Sequence, residues 1–241
     1  VIVVFFVPYT ASGFSACGKL FSTLFGMDYV VAMILSAIVI VGYTATGGFL
    51  AASTTDFIQS IIMTVALLFV LGFAIVEAGG WGAVMENAKE LPGYISMTAS
   101  YAVESGTATP YGALTIFSTL AWGLGYFGMP HILLRFMAIE DENKLKVSRR
   151  VASAWVVIAM GVAVMIGISG RALSDAGILE MLAGSDTETI IIRISDYMSG
   201  FGAFFALMAG LVMSGILAST MSTADSQLLA ASSSVSQNIL Q

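Results

Sequence analysis

Apolar residues fill six helix-length segments of this chain, and short polar stretches separate them. A helix needs about 20 consecutive apolar residues to cross a hydrocarbon core of about 30 Å. The six predicted membrane-spanning helices are 1–24, 29–51, 54–78, 111–136, 151–171 and 200–235. The pattern therefore predicts an all-α polytopic membrane protein.

The composition supports this prediction and argues against other classes. The chain is 58% hydrophobic and 10% charged, with a mean hydropathy of +0.93, outside the usual range of soluble domains. A net charge of −6 without a basic face argues against a nucleic-acid partner. Because Cys17 is the one cysteine, no internal disulfide is expected. Both ends lie inside apolar segments, so we expect an internal fragment of a longer protein.

The basic residues predict the orientation. Loop 137–150 and its border carry five of the nine lysines and arginines. Because short cytoplasmic loops are enriched in positive charge, this loop is expected in the cytoplasm and the protein in the inner (plasma) membrane. Segments 79–110 and 172–199 are then expected outside the cell. The five basic residues are Arg135, Lys144, Lys146, Arg149 and Arg150.

An oxygen-rich stripe interrupts the sixth apolar segment. Ser219, Ser222, Thr223 and Ser226 follow the i, i+3, i+4, i+7 spacing that places side chains on one helix face. Hard cations prefer oxygen ligands, and polar groups at membrane depth indicate function. The stripe therefore predicts a cation site, although bonding of the hydroxyls to helix carbonyls or tight packing of small residues would also explain it. Neither alternative explains the carboxylate of Asp225.

A second carboxylate, Asp56, lies at the start of the third predicted helix. Taken alone, it is equally well explained as an N-cap. Two ionised carboxylates at low dielectric repel each other, so a pair needs a cation between them or a proton on one. We hypothesise that Asp56 and Asp225 approach each other across their two helices and favour a cation.

The fourth predicted helix contains a weak point at 121–131, where three glycines and Pro130 occur. Non-helical backbone at membrane depth persists only when it is buried in protein or lines a cavity, and transporters place substrate sites at broken helices. Trp122 and Tyr126 share a face and would form an aromatic wall there. A kinked, tightly packed helix is the alternative. A structural role is expected for the neighbouring His131, because no second ligand of its kind is near in sequence.

Several blocks of the chain resemble the sodium/solute symporter family. The most specific is Gly-Tyr-Phe-Gly-Met-Pro-His at 125–131, and within the family the likeness is greatest to bacterial sodium/proline symporters. The blocks occur in the order of the family and span nearly the whole chain. They are 9–13, 20–21, 25–27, 47–51 with Asp56 and Gln59, 125–131, 135–138, 216–223 and 227–229.

The resemblance implies the inverted five-helix-repeat fold of the leucine-transporter type. Residues 1–241 would form a single but incomplete transporter domain that holds core helices three to eight. The first two core helices and those after the eighth would be missing. The implied activity is sodium-coupled secondary active symport of a small organic solute into the cell by alternating access, with L-proline as the expected solute. The alternatives are another amino acid, a small carboxylate, or a transporter-like membrane sensor.

The resemblance also implies the ion sites. Sodium, which is co-transported and not a prosthetic group, would bind the side-chain oxygens of Ser222 and Thr223 and the backbone carbonyl of Ser219. Some members have a second sodium site, which here would use Asp56, Asp225 and Ser226. Asp225 departs from those members, which carry a hydroxyl there, so the second site is expected to be strengthened, proton-sensitive or absent.

For the solute, the resemblance implies a wall formed by Trp122, Tyr126 and Pro130. Met129 departs from the glutamine of well-known proline transporters. The expected partners are the solute, sodium and the lipid bilayer, without nucleic acid; the oligomeric state stays open. One histidine and one cysteine provide neither a nucleophile–base pair nor a metal cluster, so the chain is not expected to be an enzyme.

Overall fold

Helices make up most of the computed structural model, which describes residues 2–103 and 105–238. The chain also forms one antiparallel hairpin of β1 (Ala99–Ala102) and β2 (Thr107–Pro110). Short 3-10 turns occupy Tyr126–Gly128, Glu142–Lys144 and Gly184–Thr189. The helices are α1 (Ile2–Phe25), α2 (Tyr29–Glu77), α3 (Trp81–Glu90), α4 (Ala113–Gly125), α5 (Pro130–Met137), α6 (Leu145–Asp175), α7 (Ile190–Ser199) and α8 (Ala203–Asn238).

The all-α membrane architecture is confirmed, and three of the six predicted spans take a different form. In the described part of the chain, four helices are long and apolar enough to cross a membrane. They are Ile2–Thr23, Tyr29–Glu77, Glu142–Asp175 and Ala203–Gln237. The second and third predicted spans both lie in the 49-residue α2, which is interrupted at Gly48 (φ 57°, ψ −152°). At about 1.5 Å per residue, the parts on either side measure about 28 and about 43 Å, enough for one crossing each.

The positive φ of Gly48 explains where α2 is interrupted. Residues that carry a Cβ rarely adopt this backbone conformation, whereas glycine adopts it without steric cost. No new helix starts at Asp56, which lies well inside α2 beyond this point. The N-cap explanation for Asp56 is therefore wrong.

The fourth predicted span, 111–136, is broken into two helices. Helix α4 ends at Gly125, a 3-10 turn follows, and α5 begins with Pro130 at its first turn. Proline has no backbone N–H to donate and is tolerated at the start of a helix. The break follows from the glycines and the proline that made this segment a predicted weak point.

The chain forms two compact units. The first comprises Val1–Val65, Met129–Glu142 and Leu211–Gln241, and the second comprises Ala66–Gly128 and Asn143–Gly210. The first unit contains the oxygen-rich stripe, both membrane carboxylates and Arg135. The second contains the hairpin and an aromatic cluster of Phe69, Phe73, Tyr197, Phe201, Phe204 and Phe205.

Small residues bring α1 close to α8 and to α2 in the first unit. A Cβ on Gly13 would lie 3.0 Å from the Cβ of Ala224, and a Cβ on Gly18 would lie 2.8 Å from the Cβ of Met33. Cys17 is fully buried among these contacts. Because membrane helices associate largely through close packing, small residues at their interfaces allow the backbones to approach. This packing places α8 against α1 near the stripe.

Replacing Gly18 with valine is expected to lower the melting temperature of the detergent-purified full-length protein. The valine would overlap the Cβ and the backbone of Met33, and overpacking of this kind costs about 1–3 kcal/mol. Gly42→Val is the matched control, since a Cβ on Gly42 meets nothing within 4 Å in the described residues. Equal melting temperatures for the two variants would contradict the close α1–α2 contact.

Candidate functional site

The stripe on α8 converges on one backbone carbonyl. Ser222 Oγ donates a hydrogen bond to the carbonyl oxygen of Ser219 at 2.9 Å, and Thr223 Oγ1 donates to the same oxygen at 3.2 Å. The hydroxyls therefore bond to the helix, as the structural alternative predicted. A hydroxyl that donates its hydrogen keeps its lone pairs, and a cation interacts with lone pairs. The lone pairs of Ser222 and Thr223 thus remain for a cation, whereas the Ser219 carbonyl oxygen already accepts two hydrogen bonds and would have to exchange one of them for the ion.

Asp225 is fully buried, and its carboxylate has partners on both oxygens. Oδ2 accepts a hydrogen bond of 2.8 Å from the hydroxyl of Tyr43 in α2. Oδ1 accepts one of 3.2 Å from Ser226 Oγ. A buried ionised carboxylate requires such donors or a nearby positive charge. Tyr43 was not predicted from the sequence, where its signal was one hydroxyl-bearing ring within a strongly apolar helix.

Arg135, in α5, connects α2 with α8. Its guanidinium forms an ion pair with Asp56, whose side chain is 10% exposed. Nη2 of the same guanidinium donates a hydrogen bond of 2.6 Å to Ser226 Oγ. Tyr43, Asp225, Ser226, Arg135 and Asp56 thus form one continuous chain of contacts across three helices, which we call the charged network.

The charged network relates directly to the hypothesis that Asp56 and Asp225 favour a cation. The two carboxylates are joined through Arg135 and Ser226, so a guanidinium of the chain itself lies between them. Arg135 thereby supplies a positive partner to Asp56 and reaches Asp225 only through the Ser226 hydroxyl. The sequence placed Arg135 in a family motif and in a positively charged border, and nothing in its local pattern points to a partner 79 residues away.

Buried oxygen atoms without hydrogen-bond partners occur on Asp56 and on residues close in sequence to members of this network. Within the described residues they include Asp56 Oδ1, Gln59 Oε1 and Gln227 Oε1. Gln227 follows Ser226 directly, and Gln59 lies one turn after Asp56. Buried polar atoms are normally paired, so these oxygens are candidate ligands. Carboxylate, amide and hydroxyl oxygens are the donor types suited to a hard cation.

The predicted solute residues are divided between the two units. Trp122 and Tyr126 belong to the second unit, where their rings contact edge to face with centroids 6.4 Å apart. Both side chains are exposed. Pro130 belongs to the first unit as the first residue of α5. The two rings therefore share a face, as their spacing predicted, and their role as a wall for the solute stays a prediction.

His131 has a packing role in the first unit. Its ring lies edge-on to Phe6 and Tyr9, with centroid distances of 5.7 and 6.3 Å. The described residues contain no group of three or more histidines, cysteines or acidic residues placed to hold a metal ion together. The first unit thus contains the α8 stripe and the charged network, and the second unit contains the aromatic pair.

Comparison with known proteins links these features to one family. The family model described as "Sodium:solute symporter family" matches residues 1–241. Sodium/proline symporters of Staphylococcus aureus strains USA300 / TCH1516 and JH9 are each 38% identical to this chain over 238 residues. The match covers 99% of this chain and 43% of each relative, so the chain spans less than half of their length. No solved structure matches it.

Proposed function

Because this chain belongs to the sodium:solute symporter family, we propose that the full-length protein couples inward sodium movement to uptake of a small organic solute. The observation that carries this proposal is the α8 stripe, where two hydroxyls share one carbonyl within a whole-chain family match. We propose L-proline as the solute, which is supported by the names of the relatives at 38% identity. The chain would represent core helices three to eight of a larger transporter domain.

Sodium would bind the stripe first in the transport cycle. Ser222 and Thr223 would contribute side-chain oxygens, and Ser219 its carbonyl. Binding here stabilises one conformation of the transporter to the extent that sodium prefers that conformation. A tenfold inward gradient contributes about 1.4 kcal/mol per ion, and 100 mV of membrane potential adds about 2.3 kcal/mol. One ion can therefore drive substantial accumulation of the solute.

The charged network is the proposed second sodium site, with Asp56, Asp225 and Ser226 as ligands. In this proposal sodium takes the place of the Arg135 guanidinium, so the site exchanges a tethered cation for a free one. The exchange keeps one positive charge beside the carboxylates in both states, which lowers the cost of holding them at low dielectric. Tyr43 holds one oxygen of Asp225 in either state.

The solute would bind at the end of α4, where the helix gives way to the 3-10 turn Tyr126–Gly128. Trp122 and Tyr126 offer an apolar wall for a compact ring, and Pro130 begins the helix that follows. Unwound backbone at this point offers carbonyl and amide groups to a zwitterion. We place loop 137–150 in the cytoplasm on the basis of its positive charge.

Uptake of labelled L-proline into proteoliposomes that contain the full-length protein tests the function. We expect accumulation under an inward sodium gradient and none when choline replaces sodium. Excess unlabelled amino acids and small carboxylates, added singly, identify the preferred solute by competition. Sodium-dependent proline binding without accumulation would contradict symport and favour the sensor alternative. Accumulation that is independent of sodium would contradict the coupling.

A further inference from the structure

Three basic side chains in the first two turns of α6 take no part in the proposed transport sites. Lys146, Arg149 and Arg150 are exposed, and none of them forms a salt bridge with a described residue. The acidic residues of the preceding loop, 140–142, lie before the helix, and α6 contains no acidic residue until Asp175. The start of α6 therefore carries concentrated positive charge without an ion-pair partner in the described part of the chain.

The three basic residues share one side of α6 with a row of apolar residues. Their i, i+3, i+4 spacing places them on one helix face. Continued at the same period, this face passes through Val157, Met160 and Val164, which are 72%, 64% and 59% exposed. The side chains on it thus change from cationic to apolar along the helix. We call the following six residues the basic–apolar face: Lys146, Arg149, Arg150, Val157, Met160 and Val164.

The length of α6 places the two halves of this face at different membrane depths. The helix has 31 residues and measures about 46 Å, whereas the hydrocarbon core is about 30 Å thick. With the apolar segment 151–171 in the core, Arg150 lies at the boundary with the lipid headgroups. Val157 then lies about 10 Å further in, and Met160 about 15 Å, which is the depth of one leaflet. The apolar half of the face therefore lies beside acyl chains.

The order of chemistry along this face matches a phospholipid with an anionic headgroup. Such a lipid carries its negative charge at the depth of the basic residues, and its acyl chains continue along the apolar ones. Arginine binds phosphate oxygens with two parallel hydrogen bonds, and lysine contributes a point charge. A phosphatidylcholine headgroup is neutral overall, and the basic residues repel its ammonium group. Charge complementarity therefore favours an anionic lipid over a zwitterionic one.

Two further features of α6 favour the same occupant. No side chain caps the first turn of the helix, and the positive end of a helix dipole attracts a nearby anion. Ser153 lies on the same face between the arginines and Val157, and it is exposed. Its hydroxyl is at the depth of the lipid's ester groups. The face thus changes from cationic to polar to apolar as a phospholipid changes from phosphate to ester to hydrocarbon.

The apolar half of the face distinguishes a lipid from a soluble anion. Inorganic phosphate or an acidic peptide would contact only the basic residues and would leave the exposed apolar row uncovered. A lipid covers both halves with one molecule. Basic residues next to a membrane-spanning helix are also the positions at which anionic lipids are attracted most strongly. The occupant that fits the whole face is therefore a lipid of the surrounding membrane.

We propose that the basic–apolar face of α6 is a binding site for an anionic phospholipid such as phosphatidylglycerol. The phosphate binds the three basic residues, and one acyl chain lies along the three apolar residues. On the predicted orientation this lipid belongs to the cytoplasmic leaflet. The site lies on a single helix and uses neither the sodium ligands nor the solute residues, so it does not depend on the proposed function.

Quenching of a fluorophore by spin-labelled lipids tests this proposal. Val156→Cys, one helical turn from Met160 and beside the face, carries the fluorophore in the full-length protein. Cysteines outside this chain are first replaced, and Cys17 is fully buried and stays. The protein is reconstituted in phosphatidylcholine vesicles that contain an equal small fraction of either phosphatidylglycerol or phosphatidylcholine with a nitroxide on the acyl chain. Each basic residue near anionic lipid is worth about a fivefold preference, so binding of phosphatidylglycerol is expected to be about tenfold tighter or more.

Two double variants, each combined with the Val156→Cys label, test the basic residues. Arg149→Gln with Arg150→Gln is expected to lower the preference for phosphatidylglycerol by at least about fivefold. Lys89→Gln with Arg193→Gln removes the same charge from exposed positions outside the face and is expected to retain the preference. Both double variants are expected to melt with the parent protein in lipid-free detergent, because none of the four side chains forms a salt bridge with a described residue. A preference that survives Arg149→Gln with Arg150→Gln would overturn the proposal.

A second label and a soluble competitor test the place and the kind of ligand. Leu120→Cys places the fluorophore on an exposed residue of α4, a helix without charged residues, and equal quenching by the two lipids is expected. An equal preference for phosphatidylglycerol at both labels would assign the effect to the protein as a whole and overturn the proposal. Absence of quenching at Val156→Cys by either lipid would also overturn it, because another segment of the full-length protein then covers the face. Loss of the preference in millimolar inorganic phosphate at constant ionic strength would assign the basic residues to a soluble anion instead.

Discussion

Alanine at Ser222 or Thr223 is expected to raise the sodium concentration for half-maximal L-proline uptake by about tenfold or more. Each substitution removes an oxygen that we propose as a sodium ligand, and interactions with a charged partner are worth about 1.5–3 kcal/mol. A loss of about 1.4 kcal/mol corresponds to a tenfold change in affinity. The measurement is initial uptake into proteoliposomes as a function of sodium at fixed L-proline.

Matched variants separate loss of the ligand from loss of the hydroxyl's bond to the helix. Thr223→Ser keeps the oxygen and is expected to retain sodium affinity close to that of the parent protein. Ser232→Ala removes an exposed hydroxyl on the same helix that also donates to a helix carbonyl, at Leu229. This variant is expected to leave the sodium concentration for half-maximal uptake unchanged. Uptake that Ser222→Ala and Thr223→Ala leave unchanged would remove the stripe from the mechanism.

Replacing Arg135 with glutamine is expected to lower the melting temperature of the full-length protein in sodium-free buffer. The substitution leaves Asp56, which is 10% exposed, without its positive partner. Loss of one partner of a fully buried pair costs about 3–5 kcal/mol. Because the Arg135 side chain is 43% exposed, solvent screening reduces the expected loss to about 1–3 kcal/mol. Thermal unfolding in detergent measures the effect.

Added sodium and a second substitution test why Arg135→Gln lowers the stability of the folded protein. If sodium replaces the guanidinium, the difference between Arg135→Gln and the parent protein should narrow as sodium is raised, since a ligand that binds only the folded state stabilises it. Adding Asp56→Asn should also restore stability by removing the uncompensated charge. Arg149→Gln, at an exposed position of α6, is the control. If the melting temperature of Arg135→Gln stays equally far below that of the parent protein at every sodium concentration, the second sodium site is contradicted.

The broken helix shows how far the sequence could be interpreted locally. Three glycines and Pro130 within eleven residues predicted a weak backbone at 121–131, and the structure has a 3-10 turn and a new helix there. The interruption of α2 at Gly48 was harder to locate from the sequence. A pair of adjacent glycines does not reveal which of them adopts a positive φ, and the boundary was predicted at 51–54.

Asp56 illustrates the opposite case. Its carboxylate was recognised as unusual, and neither interpretation drawn from the sequence included Arg135. The guanidinium is 79 residues away in sequence, and Tyr43 and Asp225 are 182 residues apart. Pairs at such separations depend on how helices are ordered and rotated. Local patterns contain no information on either.

The sequence by itself determined that this chain is helical, lies in a membrane, belongs to the symporter family and carries an oxygen-rich stripe on α8. These features depend on composition, helical periodicity and short motifs, which act within a few turns of one helix. Only the tertiary structure decided which side chains meet, as in the charged network. Helices that are apolar on all sides have no single polar face to indicate their rotation. Their polar contacts therefore become known only when the helices are packed.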